Sequence, residues 1–479
     1  MHWIDFAIFI VYMIIVFLVG VYFYRKNKSR EDYYVGSRSI KATHVGLSVV
    51  ATDVGGGFSI GLGGLGFTMG LSGSWLLFTG LIGAWLAAVF VIPRLKRVDA
   101  KHGMLTYPDY LRHIFGNKTA LIAAVISGVG YMGFTGGQVL AGAKLSAGTL
   151  FSDLPIDIDP MLFSVLIIAT IILLYTVMGG LKAVIYTDTF QWIVLLTGLI
   201  FFAIPFAVHD LGGIFGLKNH LPAEYMSLTN VTWVQIVNWF VTIIPIWLIG
   251  MTLYQRMYAC ADEKQAKRAW YIAGIFEWPI MAFTGVILGM CGRVFFPESE
   301  PELGLPRLLQ EVLPVGVKGI VIAAYFSAIM STADSCLIAS SGNLTNDVVE
   351  RYWFKNLSNK WMVRLSQIIT LIIGIVAIVI AISFESVLDV ILQAYSFMVA
   401  GLFIPTLFAY FAHRRYHDQT AAISSMICGG AAALILIFSK LSLPFGLDPT
   451  IFGILISLIV YMAVYYAKIN YRSDQIQKD

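Results

Sequence analysis

The chain has 479 residues, of which 58% are hydrophobic and 13% charged, with a formal net charge of +4 and a mean hydropathy of +0.79. Soluble domains carry about 25% charged residues, so this composition excludes an ordinary soluble fold and indicates an all-α polytopic membrane protein. The small positive charge makes no case for a nucleic-acid partner, because no basic stripe interleaves with aromatics on a polar face.

A helix needs roughly 20 mostly apolar residues to cross the hydrocarbon core. Thirteen transmembrane helices are expected, over 3–24, 44–70, 73–93, 119–148, 160–179, 183–209, 232–258, 270–292, 315–342, 361–382, 386–411, 420–438 and 448–468. The first begins Met1-His-Trp-Ile-Asp, without a basic leader or a small-residue cleavage site, and reads as a retained helix rather than a signal peptide. With the N-terminus outside, alternate connections place 26 of the 32 basic residues on one side, the bias of cytoplasmic loops. The C-terminus is then cytoplasmic and the chain multi-pass in a plasma (inner) membrane. Only Lys144, Lys218, Arg293, Arg307, Lys318 and Lys440 fall outside. Cys260, Cys291, Cys336 and Cys428 are scattered without metal-ligand spacing, so neither a disulfide nor a metal cluster is expected.

The spans differ in texture. Spans 3–24, 361–382 and 448–468 are nearly uniform Ile, Val, Leu and Phe, as lipid-facing helices are. The second span instead reads Ala51-Thr-Asp-Val-Gly-Gly-Gly-Phe-Ser-Ile-Gly-Leu-Gly-Gly-Leu-Gly66, with seven glycines in sixteen residues. Each costs about 1 kcal/mol relative to Ala in a helix interior, so an interruption is expected there. Asp53 stands beside it, where freed carbonyls and a carboxylate would suit a cation. Between spans five and six, Gly179 and Gly180 predict a tight cytoplasmic hairpin, followed by Asp188. That residue suits a helix N-cap, a partner for Lys182, or an ion path. In span seven, Pro245-Ile-Trp-Leu-Ile-Gly250 marks a second weak point, since proline removes a backbone donor and clashes with the preceding turn. The two interruptions are five spans apart. An odd unit must re-enter the membrane inverted, and paired interruptions point to the binding site of an inverted-repeat transporter.

Span nine contains Ala324-Tyr-Phe-Ser-Ala-Ile-Met-Ser-Thr-Ala-Asp-Ser335. Ala328, Ser331, Thr332 and Ser335 share one helical face. Such a row serves either helix packing or oxygen ligation of a small cation. Asp334 is an ionisable group inside a span, which marks a functional site by default.

Three motifs together resemble the sodium:solute symporter family. They are Thr-Val-x-Gly-Gly-Leu-x-Ala-Val-x-x-Thr-Asp-x-x-Gln at 176–191, Ala-Thr-Asp-Val-Gly-Gly-Gly at 51–57, and Ala328-Ile-Met-Ser-Thr-Ala-Asp-Ser335 followed by Thr345-Asn-Asp347. The resemblance implies a five-plus-five inverted-repeat core of the APC/LeuT type. Residues 1–43 would hold an extra helix and the first cytoplasmic loop, 44–209 and 232–411 the two repeats, and 412–479 two extra helices and a short tail. It also implies a main sodium site from the carbonyls of Ala51, Val54 and Ala328 and the hydroxyls of Ser331 and Thr332. A second ion site, found in part of the family, would use Asp188, Ser331, Asp334 and Ser335. By family position the substrate pocket would draw on Asp53, Gly56, Phe58, Trp75, Phe78, Tyr131, Phe134, Gln138, Trp247, Met251, Tyr254 and Gln393. Gly57 and Phe58 stand where the sugar-carrier branch is polar, which argues against a hexose, and Asp53 and Met251 replace cage tryptophans of the choline-carrier branch.

The expected function is therefore sodium-coupled symport of a small organic solute, such as an amino acid or amine, by a monomer in the bilayer, with sodium as coupling ion and no other cofactor. A proton-coupled carrier on the same fold, with Asp53 or Asp334 cycling a proton, is the alternative. A sensor or channel is a more distant one, which saturable counterflow would separate. No nucleophile–base pair, phosphate-cradling loop or metal-ligand set suggests an enzyme.

Overall fold

Backbone amides surrounded by lipid must bond within their own segment or close a barrel. In the computed structural model, which describes residues 1–26, 35–151, 159–178, 181–353, 358–439 and 441–476, they do the former. Among the described residues there are helices and no β-strand, the one extended contact being an isolated bridge between Ile40 and Cys260. Gly179 and Gly180 lie outside the described residues, as do the loop cations Lys28, Arg30, Lys355, Lys440 and Lys478.

The chain begins with α1 (Trp3–Lys26), α2 (Ala42–Asp53), α3 (Gly55–Met69), α4 (Trp75–Leu86), α5 (Ile92–His102), α6 (Tyr107–Phe115), α7 (Asn117–Gly148) and α8 (Pro160–Met178). Next come α9 (Leu181–Gly198), α10 (Ile204–His209), α11 (Trp233–Ile249), α12 (Met251–Ala259), α13 (Glu263–Ile275), α14 (Phe283–Phe295) and α15 (Pro301–Val312). The last are α16 (Val317–Gly342), α17 (Asn359–Ser383), α18 (Val387–Phe411), α19 (Gln419–Ser439) and α20 (Pro449–Ile476).

Among the described residues, nine helical runs are long and apolar enough to cross a membrane, or ten if the bent pair α11 and α12 is one span. That is fewer than the thirteen expected. One of the nine, Gly57–His102, has 46 residues. That run joins two helices rather than one, because Gly70 turns the chain (φ +68°) and the 3-10 segment Gly70–Ser74 separates α3 from α4. The apolar stretches Trp3–Val19 and Pro160–Leu174 lie within longer helices, α1 (24 residues) and α8 (19 residues).

Both sequence-marked interruptions are present. The second span parts at Val54, and the seventh at Gly250 with a bend of 42°. In the latter case Pro245 stays inside α11 and the break falls at the glycine after it, which is extended (ψ 118°). Prolines also explain three wider π-helical turns, at Ala87–Val91, Leu199–Ala203 and Phe276–Ala282. Pro93 and Pro205 follow the first two closely and Pro279 lies within the third. A missing N–H and the clash with the preceding turn are relieved by one extra residue in the helical loop.

α16 is the central element. It packs against α1, α2, α3, α7, α8, α9 and α17, and 94% of its apolar window is buried, against 33% in the span of α17 and 28% in that of α20. Its Ala, Ser and Gly content lets neighbouring backbones approach, whereas α17 shows Ile368, Ile372, Ile375, Val379 and Ile382 outward. The uniform apolar texture of the first span, 361–382 and 448–468 thus matches their outward-facing residues.

Polar clasps hold the two ends of the bundle. Asp5 Oδ1 accepts from the amides of Gly316 (2.6 Å) and Gly319 (3.0 Å), fixing α1 to the start of α16. Lys144, expected to be merely outside, is buried and pairs with Glu300 and with Glu302 (2.8 Å). Glu302 in turn accepts from the amides of Val387 (2.9 Å) and Leu388 (3.1 Å) at the start of α18. At the opposite end Arg112 joins Asp109 to Asp347 (2.7 Å), and Asp99 holds Arg38 (2.5 Å) and Lys96 (3.0 Å).

Candidate functional site

The interruption at Val54 is built by its glycines. Gly55 adopts φ +34°, and a Cβ on it would lie 1.9 Å from Thr332 Oγ1, so only glycine allows α16 to come this close. Thr332 Oγ1 donates toward the carbonyls of Ala51 (2.9 Å) and, one turn back on its own helix, Ala328 (3.1 Å). The structure thus joins three of the five residues expected for the main ion site, Ala51, Ala328 and Thr332; Val54 is buried at the break beside Gly55, and Ser331 turns toward Asp188.

The residues expected for a second ion site are not grouped in that way. The buried guanidinium of Arg256, on α12, bonds two of them, Asp188 and Ser335. It donates to Asp188 Oδ2 (3.1 Å), Ser335 Oγ (2.8 Å), Ser48 Oγ (2.9 Å), Thr52 Oγ1 (2.5 Å) and the Thr252 carbonyl (3.2 Å). Ser48 also donates to Asp188. Ser331 lies beside Asp188, but Ser331 Oγ and Asp188 Oδ1 complete no well-formed hydrogen bond. Asp334 turns instead to α8, where Thr176 donates to it. The ionic partner of Asp188 is thus Arg256 rather than the sequence-adjacent Lys182. Arg256 sat among basic residues that the sequence explains by topology, and nothing local marks it as buried.

Of the residues expected to line a pocket, one group converges. Phe134 stacks on Tyr395 (centroids 5.0 Å, 17°), and Phe58 meets both rings at 6.4 and 6.2 Å. Tyr131 and Tyr395 are within electrostatic range of Asp53. The Tyr131 hydroxyl pairs with Thr252 Oγ1 (3.0 Å) and accepts from the Thr252 amide (3.3 Å), next to the break at Gly250. Gln138 Oε1 accepts from the Gly57 amide (2.9 Å), one residue after Gly56 in α3.

Facing Asp53 is a carboxyl group that sequence reasoning missed. Glu277 lies in the π-helical turn at Pro279 and is 0% exposed. It and Asp53 turn their carboxyl groups toward each other, yet neither Glu277 oxygen completes a well-formed hydrogen bond. No ion pair reaches either residue among the described ones. The glycine Gly80 on α4 makes room, since a Cβ there would lie 1.7 Å from Glu277 Oε1. The signal was available: Phe276-Glu-Trp-Pro279 puts a carboxylate and a proline inside the eighth span. Tyr395 was also missed; the neighbouring choice, Gln393, points elsewhere.

The other expected lining residues have different places. Trp75 donates to the Leu228 carbonyl (2.8 Å) and with Phe78 and Trp278 forms a separate aromatic row (5.0 and 4.8 Å). Trp247 is buried against Gly83 of α4. Met251 Sδ accepts from the Tyr107 amide (3.2 Å), and Tyr254 bonds the Leu248 carbonyl and Tyr410 hydroxyl (both 2.8 Å). Gln393 lines a different cavity of about 470 Å³ with Asp389, Asp448 and Thr450. The cause is rotation: past the bend at Gly250, α12 turns Met251 and Tyr254 toward α6 and α18, away from Asp53.

The model of the sodium:solute symporter family matches residues 33–429. The chain belongs to that family. It is 28% identical over 434 residues to the high-affinity proline transporter PutP of Bacillus subtilis, covering 87% of this chain and 89% of that one. It is 27% identical over 448 residues to the sodium/proline symporter of Escherichia coli (89% and 86%), and 27% over 512 residues to the sodium/glucose cotransporter of Vibrio parahaemolyticus (96% and 90%). Among solved structures, a substrate-bound, outward-open Na+-coupled sialic acid symporter superposes with a TM-score of 0.77 at 20% identity, covering 97% of both chains. The nucleobase-cation-symport-1 family transporter MHP1, closed on bromovinylhydantoin, gives 0.60 at 14% identity, covering 94% of this chain and 96% of that one. Those two likenesses establish the fold that this symporter-family chain shares with them.

Proposed function

We propose that this protein is a monomeric secondary transporter of the plasma membrane that couples the entry of one sodium ion to uptake of a small organic solute. Thirteen spans in two inverted five-helix repeats, 44–209 and 232–411, with 1–43 and 412–479 added, would make the scaffold, with the N-terminus outside and the C-terminus cytoplasmic. The observation that carries the reading is the contact of Thr332 with Ala51 across the break at Val54 and Gly55. There a cation would find the carbonyls of Ala51, Val54 and Ala328 and the hydroxyls of Ser331 and Thr332, hard oxygens that can replace its hydration shell. Binding would tie α2 and α3 to α16, which is how an ion could order the site for a solute.

The second ion position is read differently from the family resemblance. Arg256 sits between Asp188 and Ser335 and supplies a fixed positive charge there, which supports one coupling sodium rather than two. The membrane potential gives about 2.3 kcal/mol per charge per 100 mV, so one sodium can concentrate an uncharged solute several tens-fold.

Purified protein tests the site through its thermal stability in sodium and in potassium chloride, since a ligand of the folded state raises the melting temperature by mass action. Sodium should stabilise the wild type saturably, and the Ser331→Ala/Thr332→Ala double variant should need at least tenfold more. An unchanged sodium response in that variant removes the assignment. A proton-coupled carrier is the second reading, favoured by the buried Asp334, which Thr176 engages but which forms no ion pair among the described residues. Solute uptake driven by a pH gradient without sodium supports it.

A further inference from the structure

An ionised carboxylate deep in a membrane protein is stable only beside a compensating charge or donors. The chain provides these for Asp188 through Arg256, Ser48 and their neighbours. For Glu277 it provides none: the side chain is wholly buried, both oxygens lack a well-formed hydrogen bond, and the group toward which they turn is another carboxyl, Asp53. The position is built rather than incidental. The π-helical turn at Pro279 carries Glu277 inward, and Gly80 clears the space its Oε1 occupies. Two further features point to what fits there. The aromatic faces of Phe58, Phe134 and Tyr395 stand together, with Tyr395 in electrostatic range of both carboxyl groups, and Asp53 itself retains slight exposure (7%). Aromatic faces attract organic cations, and carboxylate oxygens demand N–H donors.

We infer that the solute is a small organic cation, a protonated amine whose N–H groups are received between Asp53 and Glu277. This rests on the transport reading above and names its substrate class. A neutral sugar would leave the pair uncompensated, and a solute carboxylate would be repelled by it. Asp53 also ties the solute to the ion: it lies between Thr52, which holds Arg256, and Val54 at the break, so a ligand pulling on Asp53 acts on the backbone of the sodium position.

The full-length purified chain can be titrated in sodium and in potassium with ethanolamine, putrescine and agmatine, against proline, glucose and N-acetylneuraminate as controls, reading the melting temperature. At least one amine should stabilise the protein in sodium and the controls should not. Glu277→Gln should weaken that amine at least tenfold, and Glu277→Asp should restore part of the loss. The shift given by sodium alone depends on Thr332 and reports whether each variant is folded. If Glu277→Gln does not fold, Gly80→Ala, which displaces the carboxyl without removing it, should weaken the amine in the same direction. An amine response without any sodium response upholds the substrate class and rejects sodium coupling. A response to proline, glucose or N-acetylneuraminate alone, or none to any amine in protein that answers sodium, overturns the inference. So does a Glu277→Gln protein more stable than wild type with no amine response, the behaviour of a pair that holds only a proton.

Discussion

Asp188 and Glu277 are both fully buried carboxylates that meet the same helix, α2, one at Ser48 and the other at Asp53. Around Asp188 the chain has assembled a cation, Arg256, and hydroxyls from α2 and α16 that share its hydrogen bonds. Around Glu277 it has placed a second acid, aromatic rings and no cation. Removing a charge from water costs several kcal/mol even after relaxation, so the first arrangement is complete as an ion pair, whereas the second carries charge on both groups only beside a cation from outside. The contrast separates a carboxylate paired within the chain from one that is not, and it is the ground for the proposal that Arg256 stands where a second sodium would otherwise bind.

The largest effect should come from breaking the complete arrangement. Arg256→Leu leaves Asp188 buried without its cation and should cost about 3–5 kcal/mol. Combining it with Asp188→Asn should recover a sizeable part of that loss, as thermal melts of the cycle would show. If Arg256→Leu alone is nearly neutral, the two regions do not differ as described. A smaller loss is expected at the break: Gly55→Ala forces a Cβ onto Thr332 and should cost about 1–3 kcal/mol of stability through backbone strain while weakening the sodium response at least tenfold. Tyr254→Phe removes a hydroxyl bonded to Leu248 and Tyr410, away from Asp53. It should lower stability by about 1 kcal/mol and leave ligand affinity unchanged in the same titrations. The smallest effect belongs to Gln393→Ala, in the separate cavity beside Asp389, where stability should stay within about 0.5 kcal/mol and ligand binding should not move.

The interruptions, the lipid-facing helices and the polar face of α16 were all legible because each has a local cause. Glycine and proline break helices wherever they fall, and hydroxyls at helical spacing share a face in any context. What the sequence withheld depends on which way a helix points after a bend. Met251 and Tyr254 follow Gly250 by one and four residues, and a 42° turn sends them to a tyrosine cluster instead of the pocket. Gln393 and Tyr395 are two residues apart on α18, and only the second faces Asp53. Arg256 was hidden for another reason: a lone arginine near the end of a span reads as a topological charge, and only the packing of four helices shows it buried.

The central claim is that the chain fills one cation position with its own guanidinium and leaves one for sodium. Equilibrium dialysis of the purified protein against radioactive sodium, at concentrations spanning saturation, counts the ions directly. One sodium per chain, abolished by the Ser331→Ala/Thr332→Ala double variant, is the predicted result. Two sodium ions per chain, or one that survives that substitution, would contradict it.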